Sequence, residues 1–194
     1  MLWPATPPAR CGLRHDESIS DAYRLATPDV RYRDAFLTMV EDYHQAGEER
    51  FHDVGDDFGA YVQRLHQAAR GVGLQPGWVP YTTFWMIASS GSPVVGVSHL
   101  RHRLTPMLEK EGGHIGYTIA PSYRRQGLGT LQLALVLDAV RERPDLLAVD
   151  RVLITCDTDN VGSARIIRNN GGVFDSEIVS DFTGKAVSRY WIAL

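Results

Sequence analysis

The chain has 194 residues, of which 44% are hydrophobic and 22% charged, and its net charge is −3. These values fit one globular domain with a substantial core and offer no basic balance or stripe for general nucleic-acid binding. No apolar run approaches the roughly 20 residues that span a bilayer, and neither Cys11 nor Cys156 sits at metal-ligand spacing, so no membrane and no metal are expected. The opening MLWPATPPARCG is Pro-rich and lacks the apolar core of a signal peptide. Residues 1–20 are expected as a mobile tail, residues 21–194 as a single domain, and the protein as cytoplasmic.

Tyr23 to Ala26 make a short first strand, and Thr27-Pro28 read as a helix N-cap followed by Pro at the first helical position. A helix over about 29–44 places Phe36, Met39, Val40 and Tyr43 on one face, and a second over about 58–70 gathers Tyr61, Leu65 and Ala68 before Gly71 and Gly73 end it. Strands at 81–89 and 93–104 are joined by Ser90-Gly91-Ser92 as a hairpin. The charged segment Glu109-Lys110-Glu111 leads to a central strand at 114–120, followed by a helix over 128–143 that Pro144 stops. The strand 150–156 is apolar on both faces, as a buried parallel strand should be. Asn160 caps a helix to about Asn170, Gly171-Gly172 break it, and strands at 173–179 and 187–192 form a last antiparallel pair whose exposed final strand offers an edge for a homodimer. The order predicts an α/β (α+β) fold, with a mixed, mostly antiparallel twisted sheet, one parallel βαβ crossover and helices on both faces.

The most informative stretch is the turn between the central strand and its helix. Glycines at a strand-to-helix turn leave amide N–H groups unpaired at the positive end of the helix dipole, where phosphate binds. A Walker loop would need Gly-Lys after these glycines, and a dinucleotide turn a third glycine where Gln132 stands. What remains is Arg124-Arg125-Gln126-Gly127-Leu128-Gly129 after a strand ending Ile119-Ala120-Pro121. It closely resembles the cofactor loop of the GNAT superfamily of acetyl-CoA-dependent N-acetyltransferases. Asn160, four residues after Cys156, matches the Asn that opens the family's next helix, and Ser163, Ala164, Ile166 and Ile167 match that helix's small and aliphatic pattern. GGHIGY with LITCDTDNVGSARII is further similar to a bacterial subgroup of predicted acetyltransferases.

The resemblance implies that backbone amides of Gln126, Gly127, Leu128, Gly129 and Thr130 hold the pyrophosphate of coenzyme A. Arg124 and Arg125 would supply charge to its phosphates, main-chain groups around Tyr117 and Ile119 would pair with the pantetheine arm, and Asn160 with Ser163 would meet its far end. The acid that the family often places seven residues after the helix-opening Asn is here Ile167, and the usual carboxylate on the central strand is Gly113. Tyr117 and Tyr190 are substitute acids or buried structural tyrosines. Glu111 and His114 flank the vacant base position, and His114 has an ordinary pKa of about 6.5 but reads equally as a structural histidine. Asp157, at the C-terminal end of its strand, lies where ligands gather in such sheets or fixes the Asp159-Asn160 turn, and Cys156 reads as core. His99, Arg101, His102 and Arg103 line an acceptor pocket for an anionic substrate or, more plainly, form a solvated strand end. Trp78, Trp85, Tyr43 and His44 would complete the acceptor wall.

The expected function is transfer of an acetyl group from acetyl-CoA to an amine of a small molecule or peptide by direct attack in a ternary complex. The alternatives are an acyl-CoA-binding sensor without turnover, or an acyltransferase using a longer acyl donor.

Overall fold

The computed structural model describes residues 17–181 and 183–194. Its elements are α1 Glu17–Ala22, β1 Tyr23–Ala26, α2 Arg33–Gln45, α3 Phe58–Ala69, β2 Tyr81–Ala88, β3 Val94–Arg101, α4 Pro106–Lys110, β4 Ile115–Ile119, α5 Leu128–Glu142, β5 Arg151–Asp157, α6 Val161–Asn169, β6 Val173–Val179 and β7 Ala186–Ala193. The expected tail lies outside the described residues as far as residue 16, and residues 17–20 belong to α1. Among the described residues no helix is long and apolar enough to cross a membrane.

The strands form two antiparallel sheets, one in the order β1-β2-β3-β4 and one in the order β5-β7-β6. The β4–α5–β5 segment, expected as a parallel crossover inside one sheet, instead connects the two sheets, and no ladder joins β4 to β5. The final strand β7 is central, paired with both neighbours, so the sheet edge expected at the chain's end belongs to β6.

Strand alternation distributes the first sheet between two cores. Trp85 and Ile87 of β2 point to Phe36, Met39 and Tyr61 of α2 and α3, while Phe84 and Met86 point to the opposite face, where α5 packs Leu133, Val136 and Leu137. The Phe36 and Trp85 rings lie 4.5 Å apart between centroids. Helices therefore cover both faces, as the sequence predicts. The cap of the first long helix differs: Asp29, not Thr27, accepts the Arg31 N–H and opens a 3₁₀ turn at Val30–Tyr32 that runs into α2. α4 escapes the sequence reading although Thr105-Pro106 carries both start signals, with Thr105 Oγ1 accepting from Leu108 N–H and Pro106 at the first helical position.

The two sheets touch where β4 begins. His114 N–H donates to the Leu153 carbonyl at 2.7 Å, and Leu153 N–H donates back to His114 Nδ1 at 2.9 Å. Gly112 N–H adds a bond to Thr155 Oγ1 at 2.9 Å. Gly113, with φ of +58°, brings its backbone so close to β5 that a Cβ there would collide with the Leu153 carbonyl. A side chain at this position meets left-handed strain and an immovable backbone together. We expect Gly113→Ala to lower unfolding free energy by about 3 kcal/mol, read as a lower urea midpoint at unchanged m-value.

Candidate active site

A cavity of about 940 Å³ opens where the end of β4 meets the first turns of α5 and α6. Tyr117, Thr118 and Ile119 of β4 form one wall; Arg124, Arg125, Gly127, Gly129 and Thr130 form the second; Asn160, Val161, Gly162, Ser163, Arg165, Ile166 and Asn169 form the third. Glu48 and Arg50, after α2, close it from above the sheet. The size falls within the range of small-molecule sites.

The loop before α5 is built to expose amides. Gly127 stands at the N-cap with φ of +81° and no capping side chain. Its carbonyl accepts from the N–H groups of Thr130 and Leu131. Thr130 N–H is therefore already engaged. Among the described residues no acceptor meets the N–H groups of Gln126, Gly127, Leu128 or Gly129. A Cβ at Gly127 would meet nothing within 4 Å, so glycine is required there by its backbone conformation and not by crowding. Gly129 serves differently, since a Cβ on it would stand 2.6 Å from Ile166 Cδ1 of α6. Gln132 Nε2 donates to Ser98 Oγ at 2.7 Å and ties α5 to β3 from inside the core.

The two loop arginines, both expected to supply charge to phosphates, differ from each other. Arg124 does not point its charge into free space: its guanidinium grips both oxygens of Glu48, at 2.5 and 2.9 Å, and its Nε donates to the Ile119 carbonyl. Those bonds, with the attendant charge, raise the Arg124 pKa and lower that of Glu48. Arg125 stands in the left-handed region with φ of 61° and faces the cavity, and no carboxylate among the described residues pairs with it. Arg165 joins it from α6 as a second cation with no ion pair among the described residues. Gln126 turns its side chain back to the Ser122 carbonyl and does not line the cavity; Leu128 is buried in the core.

On the opposite wall, Tyr117 Oη shares a 2.8 Å hydrogen bond with Ser163 Oγ, and burial pushes its pKa up to about 12. Asn160 accepts the Ser163 N–H and caps α6. Tyr43 Oη bonds Thr118 Oγ1 at 2.6 Å, pinning α2 to β4.

The remaining candidates stand apart. His114 is buried at the sheet junction, its Nδ1 an acceptor and its proton therefore on Nε2 when neutral, and it does not line the cavity. Glu111 ends α4, also outside the cavity. Asp157 pairs with Lys185 at 3.7 Å. Tyr190 packs against Phe174 in the core, and burial raises the thiol pKa of Cys156. Trp85 is fully buried, whereas Trp78 is exposed. Sequence reasoning missed Glu48 and Arg50, which no local pattern marks. It also missed Val161, Arg165 and Asn169, whose spacing of four along α6 is the signal that they share a face.

The sequence matches the family model for the acetyltransferase (GNAT) domain over residues 24–173. The chain belongs to the GNAT acetyltransferase family. Among solved structures it is similar to the acetyl transferase from Salmonella typhimurium that modifies the N-terminal serine of ribosomal protein L7/L12, with TM-score 0.62 and 16% identity over 89% of this chain and 95% of that one. It is similar to RimL, a ribosomal L7/L12 alpha-N-protein acetyltransferase in complex with coenzyme A, with TM-score 0.63 and 17% identity over 89% and 94%. The microcin C7 self-immunity acetyltransferase MccE, in complex with acetyl-CoA and AMP, aligns with TM-score 0.61 and 12% identity over 90% and 93%. A search of curated proteins finds none that matches.

Two outcomes follow from this electrostatic arrangement. Burial, and then the charge of Arg101, lower the pKa of His114 to about 4, and the same two causes bring His99 to about 4. The unfolded chain holds both near 6.5 and so binds more protons in the interval between. Stability is fully present above about pH 6.5 and declines as pH falls toward about 4; urea midpoints across that range should show the slope, and His114→Asn should flatten it. Glu48→Gln removes a carboxylate from a cavity that faces unpaired amides and frees Arg124. It should tighten coenzyme A binding about threefold to tenfold by calorimetry at low salt.

Proposed function

We propose that this acetyltransferase moves an acetyl group from acetyl-CoA to a primary amine of a small molecule or peptide, by direct attack within a ternary complex. The observation that carries the reading is the row of unpaired N–H groups from Gln126 to Gly129 with Arg125 and Arg165 facing the same cavity. Helix-terminal amides and free guanidinium forks suit pyrophosphate and phosphate oxygens, and the donor set requires no metal. β4 is the edge of its sheet beyond β3, so half its backbone groups face away from that ladder and are available to an extended amide-bearing arm. Acetyl-CoA supplies the thioester that is the acyl donor.

Tyr117 is the residue we assign to the leaving thiolate. It lines the cavity, its hydroxyl is oriented by Ser163, and it holds its proton to about pH 12. As the new C–N bond forms and the C–S bond breaks, the amine must lose a proton. Glu48 is the only carboxylate among the lining residues, and its ion pair with Arg124 makes it a weak base. The proton therefore leaves to water, and the amine must arrive neutral.

The test is release of free thiol from acetyl-CoA with a panel of amines. kcat/KM should rise with pH up to the pKa of each amine, tracking the substrate and not an enzyme group. Tyr117→Phe should lower kcat about tenfold to a hundredfold while leaving coenzyme A affinity close to wild type. Coenzyme binding without turnover on any amine would favour the sensor, and absence of coenzyme binding would remove the reading.

A further inference from the structure

A polar cluster on the α2–α3 face of the first sheet lies beside the cavity and has no part in the coenzyme site. In the β2–β3–β4 register, Tyr81 stands opposite Arg101, Thr83 opposite His99, and His99 opposite Gly116. Cross-strand partners share a face, and so do residues two apart on a strand. Arg101, His99, Gly116 and Thr118 thus form a continuous path, and Thr118 lines the cavity.

The cluster is not the solvated strand end that its sequence suggests. β3 ends at Arg101, and of the expected cations only Arg103 is exposed. His99 Nδ1 and Thr83 Oγ1 are 3.0 Å apart, while His102 Nε2 meets Thr82 Oγ1 at 2.8 Å on the other face of β2. Tyr81 meets the His99 ring edge-on at 5.4 Å, and the exposed Trp78 continues the aromatic row at 6.2 Å from Tyr81. His99, with its pKa near 4, is neutral at physiological pH and leaves Arg101 as the charge of the cluster.

Arg101 is half-buried and its environment opposes its charge. Nη1 donates to the carbonyls of Gly112 at 2.8 Å and Gly113 at 3.0 Å. Among the described residues Nε and Nη2 meet no acceptor, and no carboxylate pairs with the guanidinium. The Asp53 carboxylate raises the pKa of Tyr61 and Tyr81, and among the described residues no ion pair joins it to Arg101. A guanidinium cannot shed its proton to escape burial. The floor beside it is open: a Cβ on Gly116 would meet nothing nearer than the Arg101 guanidinium at 4.0 Å.

We propose that this strand face is the acceptor subsite and takes an amine carrying its own anionic group, a carboxylate or a phosphate, held by Nε and Nη2 of Arg101 over Gly116. The inference rests on the acetyltransferase reading and names the substrate class for it. Gly116 and Thr118 are two strand positions apart, about 7 Å. Anion and amine are therefore separated by a few bonds in one small molecule, with the amine toward Thr118.

The experiment uses amino acids of increasing chain length, each paired with its carboxamide, and phosphoethanolamine paired with ethanolamine. Binding to the protein–coenzyme A complex is measured by calorimetry alongside kcat/KM. The anionic member of at least one pair should bind and react about tenfold or more better, and the winning arm tells carboxylate from phosphate. Arg101→Gln keeps a donor for the Gly112 and Gly113 carbonyls but removes the charge; it should bring the ratio near one, with Arg101→Lys restoring part of it. Gly116→Val leaves the Arg101 bonds in place and fills the floor, so it should weaken binding of the anionic amines at unchanged coenzyme A affinity, even if the arginine variants fail to fold. Equal use of both members of every pair, or a ratio that survives Arg101→Gln, would overturn the subsite. Loss of coenzyme A binding in the wild type would instead overturn the parent reading.

Discussion

The pair of hydrogen bonds between His114 and Leu153 is the constraint on which the molecule depends. It is the point where two antiparallel sheets are fastened, and the imidazole substitutes for the backbone carbonyl that a continuing ladder would have supplied. A side-chain acceptor can close one such bond but cannot propagate a ladder. Beyond it, β4 and β5 have no pairing, and the space between them is filled from the other end by the first turns of α5 and α6. Cavity and junction are thus two outcomes of one local choice. Arg101 reinforces that choice by satisfying the carbonyls of Gly112 and Gly113, which the tight approach to β5 would otherwise leave short of donors.

Charge in the site is arranged by competition. Arg124 opens the loop motif, yet its Nε, Nη1 and Nη2 each donate to Glu48 or the Ile119 carbonyl. It works as a brace between the segment after α2 and the end of β4, with its guanidinium 5.7 Å from the Tyr43 ring. The cations with no ion pair among the described residues, Arg125 of the loop before α5 and Arg165 of mid-α6, line the same cavity. Two guanidinium forks at one cavity suit an anion with several acceptor oxygens.

Legibility in the sequence followed the range of the forces involved. β1 and β6 appear at the expected residues, and α3, α5 and α6 within a residue or two, because periodicity and glycine punctuation act over a few positions. The Gly127 turn and the Asn160 cap were readable for the same reason. The division into two sheets was not, since it depends on where His114 lands relative to Leu153, 39 residues away. Glu48 was invisible because its partner Arg124 lies 76 positions on. The cationic run at the end of β3 misled in the opposite direction: its alternation looked like solvent exposure, while the neighbouring threonines and Tyr81 make it an interior surface.

The bare start of α5 has a thermodynamic meaning for the chain as a whole. A polar side chain at the N-cap would ordinarily add roughly a few tenths of a kcal/mol over glycine, and Gly127 forgoes it. The folded state therefore retains a deficit that an anion seated on those amides would correct. Ligand and fold are then linked by mass action, with occupancy at a hundred times Kd worth about 2.7 kcal/mol. An anion bound there would therefore raise resistance to unfolding in step with its occupancy of the amides.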